Sequence, residues 1–205
     1  MIARLKSPIV ALLPLDGGIV VVESTHLSFY DFDTNSFTDS SQFDFKAYSA
    51  SMTDGAIYIC AESSVISKFE RLDGDFVESS RICVNGSYPV KAVYSSNRLF
   101  AIFRDSTLRI WGDDFTEIPL DFPPADIYIT DRINIVHHDG SVTALELNTH
   151  KRTDPDELRG DFEPINRRTV RFGQKEFYVD EDISAVCVAN GRLVVGCGYV
   201  INFLT

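Results

Sequence analysis

Residues 97–111, Asn97-Arg98-Leu99-Phe100-Ala101-Ile102-Phe103-Arg104-Asp105-Ser106-Thr107-Leu108-Arg109-Ile110-Trp111, read as two short strands joined by a turn. Leu99 to Phe103 is an apolar run. Asp105-Ser106 is a short polar break with turn chemistry. Leu108 and Ile110 then alternate with polar neighbours, the pattern of a half-buried strand, and the strand ends on the only Trp of the chain.

With Trp111 as a register mark, the same two-strand unit recurs. Tyr30-Asp31, Phe69-Glu70, Leu145-Glu146 and Phe203 occupy the mark elsewhere. Each follows an apolar run: Ile19 to Val22, Ile57 to Cys60, Ile133 to Val136, and Leu193 to Val195. The offset inside each unit is about eight residues, which is hairpin length. Successive marks lie about 34 to 42 residues apart, and the last step is about 58. A period near 40 built from short strands is the sequence sign of propeller blades.

Taken in order, Ile2-Ala3-Arg4-Leu5-Lys6 alternates apolar and polar with nothing local to pair with. Four units follow, with turns at Asp16-Gly17-Gly18, Thr53-Asp54-Gly55, Ser96-Asn97 and Asp139-Gly140. The regularity breaks at His150. Residues 150–164 are polar and contain Pro155 and Pro164, so a loop is expected, followed by an extra hairpin from Thr169 to Val179 around Gly173-Gln174. This insertion, about 150–182, accounts for the long last step. A final unit runs from Ile183 to Leu204 and stops one strand short. The expectation is a single all-β domain over 1–205, a propeller of about five four-stranded blades whose last blade is completed by the N-terminal strand. The alternatives are an open ring completed by a partner and a truncated piece of a larger propeller.

The Asp-Ser-Thr-Leu-Arg-Ile-Trp run resembles the third-strand signature of WD-repeat β-propellers. Asp105 and Trp111 match the turn Asp and the Trp of that family, and Asp139 matches the turn Asp of the next blade. Tyr30-Asp31 and Phe69-Glu70 are softened forms of Trp-Asp, and Tyr30, Phe69, Asp105, Trp111, Asp139 and Phe203 serve as blade marks. No Gly-His dipeptide occurs. The resemblance therefore implies blades held by packing rather than by the family's usual polar network. Asn190 to Gly198 alone resembles the Gly-rich repeats of regulator-of-chromosome-condensation-like propellers.

Composition bounds the function. The chain has 205 residues, 44% of them hydrophobic, with 30 acidic and 19 basic residues for a net charge of −11. That field disfavours direct nucleic-acid or anionic-membrane binding. No apolar run approaches the ~18 residues of a membrane span. Cys60, Cys83, Cys187 and Cys197 form no Cys-x-x-Cys pair, so no metal site is expected, and their low density fits a reducing, intracellular compartment, cytoplasm or nucleus.

No cofactor motif and no nucleophile elbow are present; Ser24, Ser63 and Ser106 lie in turns. His137-His138-Asp139 reads as a turn, because neighbours on a strand face opposite sides. The acids Asp31, Asp33, Asp113, Asp114 and Asp121 leave a propeller hydrolase or ligand-binding protein as an alternative. A third reading is the non-catalytic partner of an RNA- or chromatin-modifying enzyme. The leading expectation is a non-catalytic scaffold that binds protein partners within a hetero-complex. Its candidate surface is the insertion, where Lys151, Arg152, Arg159, Arg167, Arg168 and Arg171 lie near Phe172, Phe177 and Tyr178. Arg with aromatics is the mix enriched in interface hot spots.

Overall fold

A computed structural model describes residues 2–146 and 162–204, so Lys151, Arg152 and Arg159 lie outside the described residues. The described residues are strands and turns throughout. The strands are β1 (Ile2–Arg4), β2 (Ile9–Leu15), β3 (Gly18–Glu23), β4 (His26–Asp31), β5 (Ser36–Gln42), β6 (Ala47–Thr53), β7 (Ala56–Ala61), β8 (Val65–Leu72) and β9 (Asp75–Cys83). They continue as β10 (Pro89–Ser95), β11 (Arg98–Phe103), β12 (Thr107–Trp111), β13 (Thr116–Pro119), β14 (Pro124–Ile129), β15 (Arg132–His137) and β16 (Val142–Glu146). The last are β17 (Phe162–Asn166), β18 (Thr169–Phe172), β19 (Lys175–Tyr178), β20 (Ile183–Ala189), β21 (Arg192–Cys197) and β22 (Val200–Leu204).

These pair into six small sheets rather than five: β2–β5, β6–β9, β10–β13, β14–β16, β17–β19, and β20–β22 with β1 on its outer edge. The N-terminal strand does pair with the last sheet, antiparallel to β22, with Ala3 opposite Ile201. Two compact units divide the chain, one of Met1–Ala47, Arg71–Val77 and Arg159–Thr205, the other of Tyr48–Glu70 and Glu78–Leu158.

One backbone hydrogen bond fixes the role of each strand. After the fourth strand of a sheet, an N–H donates to the carbonyl in the turn between that sheet's second and third strands. The pairs are Phe43 to Thr25 (2.9 Å), Val84 to Ser64 (2.8 Å) and Leu120 to Ser106 (2.8 Å). Leu5 to Tyr199 (2.8 Å) repeats the bond, so β1 is the fourth strand of the last sheet. Val179 to Arg168 (2.9 Å) repeats it again, which makes β17, β18 and β19 the second, third and fourth strands of a repeat. The expected extra hairpin is thus part of a sixth repeating unit.

The second strands explain the core. β3 and β7 are buried along their whole length, and β11 and β21 along all but their first residue. A strand buried on both faces reads as a continuous apolar run, and each face needs its own neighbour. In the first unit one cluster joins Ile19, Val21 and Tyr30 to Val194, Ile201 and Phe203, and another joins Leu193 and Val195 to Val170 and Val179. In the second unit Leu99 and Ala101 pack with Tyr58 and Cys60, while Phe100 and Ile102 pack with Ile127 and Ile135.

The pleat corrects one blade mark. Tyr30, Phe69, Trp111 and Leu145 sit opposite Ile19, Ile57, Leu99 and Ile133, the second residue of each second strand. In the last sheet that position is Leu204, opposite Leu193, and Phe203 faces the other way. The offset from Leu193 to Leu204 equals that from Ile19 to Tyr30, so the aromatic Phe203 lies one residue before the mark and on the opposite face. Phe203 instead stacks on Tyr30 with ring centroids 4.6 Å apart.

Gly18 is fixed by space. A Cβ there would lie 2.1 Å from the Tyr30 carbonyl oxygen and 2.6 Å from the Phe29 ring. Gly18→Ala should therefore cost more than about 3 kcal/mol in urea unfolding; a loss below about 1 kcal/mol would show that β3 and β4 part readily there. Deleting residues 1–6 removes the β1 pairing and the Leu5 bond, and should lower the thermal midpoint by roughly 10 °C. An unchanged midpoint would show that β1 adds nothing to the last sheet.

Candidate functional site

The residues proposed from sequence as a partner surface fall on the β17–β19 sheet. The Asn166 side-chain Oδ1 accepts the Arg168 N–H at 2.8 Å, and this sets the turn between β17 and β18. Gly173, at φ +59°, makes the next turn. Val170 pairs with Phe177 and Arg171 with Glu176, so the pleat sorts the candidates onto two faces. Phe172 and Phe177 pack inward around fully buried Val170, together with Leu193, Val195 and Cys197. Arg171 and Tyr178 share the outward face, and Tyr178 is 66% exposed.

The cations of this face already have partners. Arg171 bonds Glu176 at 2.8 Å. Arg168 Nε donates to Asp182 Oδ1 at 3.1 Å, and Arg167 reaches the other oxygen of Asp182 at 3.9 Å. Hydrogen bonding to Tyr178, and then to Asp182, raises the Arg168 pKa further and keeps its charge. Between residues 165 and 182 the four bases Arg167, Arg168, Arg171 and Lys175 face the four acids Glu176, Asp180, Glu181 and Asp182, a net of zero. The surface is an exposed tyrosine within balanced charges rather than a basic patch.

The blade marks are structural. The Asp105 carboxylate accepts the Thr107 hydroxyl at 2.7 Å and the Arg109 guanidinium at 2.9 Å. Arg109 also lies 2.7 Å from Glu117 and over the Phe103 ring, 4.3 Å from its centroid. Arg109 is the residue that sequence reasoning passed over. Its signal was a charged residue alternating with Leu108 and Ile110 four positions after Asp105. Trp111 is half-buried against Phe103 and Phe115, at 6.1 and 5.6 Å between centroids.

Asp139 accepts the Ser141 hydroxyl at 2.6 Å and the Ser141 N–H at 2.9 Å, and these bonds, the hydroxyl first, hold its carboxyl below the usual range. His137 is buried and His138 exposed, as alternation requires. His137 Nδ1 meets the Phe122 carbonyl at 3.0 Å and so must carry the proton. Its Nε2 then accepts the Thr143 hydroxyl at 2.7 Å. This histidine ties strands together, with both nitrogens engaged.

No family model matches the chain, and no curated protein matches it. Its backbone is similar to solved structures. The WD40 β-propeller domain of Doa1 aligns with a TM-score of 0.57 at 14% identity, covering 95% of this chain and 77% of that one. The computationally designed Ika8 protein aligns at 0.55 and 12% identity over 96% of this chain and 71% of its own. Designed Ika4 aligns at 0.53 and 14% identity over 70% of this chain and 93% of its own. The fold is that of a WD-repeat-like β-propeller.

Arg109 supplies the test of the polar anchor. Arg109→Met should destabilise by about 2 kcal/mol, because Asp105 and Glu117 lose their cation and Phe103 its cover. Urea unfolding followed by Trp111 fluorescence reads this directly. A loss below about 0.5 kcal/mol would show that packing alone holds β12.

Proposed function

We propose that this chain is a non-catalytic interaction scaffold, a subunit of a multiprotein complex in the cytoplasm or nucleus. The fold favours such a role at the coarse level, since propellers present loops and sheet edges on a rigid frame. The observation that carries the reading is Tyr178. It stands 66% exposed on a sheet whose reverse face is packed on fully buried Val170 and Leu193. A rigid aromatic with a polar tip, beside Arg171 and Arg168, is the composition of an interface centre. Exposed Ile165, in the same sheet, adds apolar area.

The partner is a protein with a mixed surface, matched to a face of zero net charge. In this proposal β1, the fourth strand of the last sheet, plays the closing role expected of the N-terminal strand. In support, Ile9 donates to the Gly198 carbonyl at 2.7 Å, the same bond that Ala47 makes to Ser24 and Ile183 to Arg167.

The reading is tested with Tyr178→Ser combined with Arg171→Ser, both outward and outside the core. The purified chain and the variant are used as bait at equal concentration, and bound protein is quantified. The variant should keep its thermal midpoint within about 2 °C and lose partner capture by tenfold or more. Equal capture by a folded variant would overturn the assignment of this face.

A further inference from the structure

A second site lies in the first unit, away from β17–β19. β4 sends His26, Ser28 and Tyr30 toward one side of its sheet by alternation. Tyr30 meets Phe203 and completes the apolar core there. Toward the β3–β4 turn the same face becomes polar, and a cleft of about 260 Å³ opens against Arg4, Leu5 and Lys6. The cleft has the volume of one substituted side chain, below the ~300–1,000 Å³ of pockets for larger ligands.

Three observations give the cleft a direction. Ser28 lines it with its residue largely buried, and its hydroxyl, which makes no hydrogen bond among the described residues, is open to the cleft. An accessible, uncommitted hydroxyl can donate to a ligand that enters. Arg4 and Lys6 also line the cleft and make no ion pair among the described residues. The two carboxylates present are already engaged. Asp39 pairs with Arg71. Buried Glu23 accepts the Ser7 N–H at 2.6 Å and the Ser7 hydroxyl at 3.3 Å.

Glu23 also orients the histidine. The Ser7 hydroxyl proton goes to Glu23, and the Thr25 hydroxyl donates to Ser7 Oγ at 3.0 Å. Thr25 Oγ1, having spent its proton, must accept from His26 Nδ1–H at 2.8 Å. Nε2 is left as the one uncommitted polar atom of a histidine that lines the cleft. It can donate as an imidazolium or accept the proton of a monoanionic phosphate.

We propose that this cleft binds a phosphate monoester, free or carried on a protein side chain. Two cations suit a charge between −1.5 and −2, and three terminal oxygens suit the Ser28 hydroxyl, the His26 ring and the neighbouring Ser40 hydroxyl. A carboxylate offers one charge and two oxygens and would leave donors idle.

The experiment titrates the full chain with inorganic phosphate, with a short phosphoserine peptide, and with the same peptide unphosphorylated, read by calorimetry and by phosphorus NMR. Wild type should bind both phosphate probes saturably and ignore the plain peptide. Arg4→Gln with Lys6→Gln should weaken binding about tenfold or more, and Ser28→Ala about threefold, each at an unchanged melting midpoint. Lys68→Gln, in the second unit, should leave phosphate binding unchanged. Tighter binding of the phosphopeptide than of phosphate assigns the anion to a protein side chain, and equal binding assigns it to the free ion. Absence of saturable phosphate binding by wild type up to about 20 mM, a binding free energy weaker than about 2.3 kcal/mol, would overturn the proposal. Full binding by the folded double variant, or equal binding of the plain peptide, would do so as well.

Discussion

The constraint from which the structure follows is that the second strand of most sheets has no face for water. Ile19, Val21, Ile59, Ile102, Val194 and Val195 are all fully buried. Each such side chain contributes about 1.5–3 kcal/mol on leaving water. Adjacent residues of one strand point oppositely, so both faces of the sheet must be covered. Within each unit, apolar clusters join neighbouring sheets, and in five of the sheets the turn between the second and third strands receives a backbone donor from beyond the fourth strand.

This constraint decides what was legible in the sequence. Runs such as Ile57 to Cys60 and Leu99 to Phe103 announce themselves because both faces are apolar. β17, the second strand of its repeat, does not, since its five residues Phe-Glu-Pro-Ile-Asn hold a charge and a proline within the apolar pattern. A strand without an apolar run reads as loop, and the unit around it read as an insertion. The Phe203 slip has a different cause. Aromatic residues hold the mark in the first three sheets, whereas in the last the paired position is Leu204 and the nearest aromatic, Phe203, is its neighbour. Register is set by pairing, so a mark placed by residue type can be wrong by one and reverse a face.

The candidate surface was half legible for the same reason. Arg and aromatic residues were counted along a line, whereas the pleat sends Phe172 and Phe177 into the core and leaves Tyr178 outside. Charge was misread because the acids that cancel Arg167, Arg168 and Arg171 lie on the next strand and the turn beyond it. The cleft beside β1 was invisible in sequence. Arg4 and Lys6 are about twenty residues from His26 and Ser28, and the pairing of β1 with β22 and the bonds of Ser7 to Glu23 bring them together.

Buried polar groups show why a motif reading of this fold runs thin. In three sheets the end of the second strand, or the turn after it, is tied to the residue two positions before the first strand. Glu23 accepts the Ser7 N–H, the Asp105 N–H donates to the Ser87 hydroxyl at 3.2 Å, and His137 donates to the Phe122 carbonyl. Ser7, Phe122 and Ser87 are equivalent, because Ser24, His138 and Arg104 each donate to the carbonyl of the residue that follows them. One junction is thus closed by a carboxylate, a turn amide with a serine hydroxyl, and an imidazole N–H. The fold requires that the junction be satisfied, not that any one residue type satisfy it. A repeat defined by hydrogen-bond position can therefore persist where its residue pattern has dissolved, and its units are found by asking where each backbone donor goes.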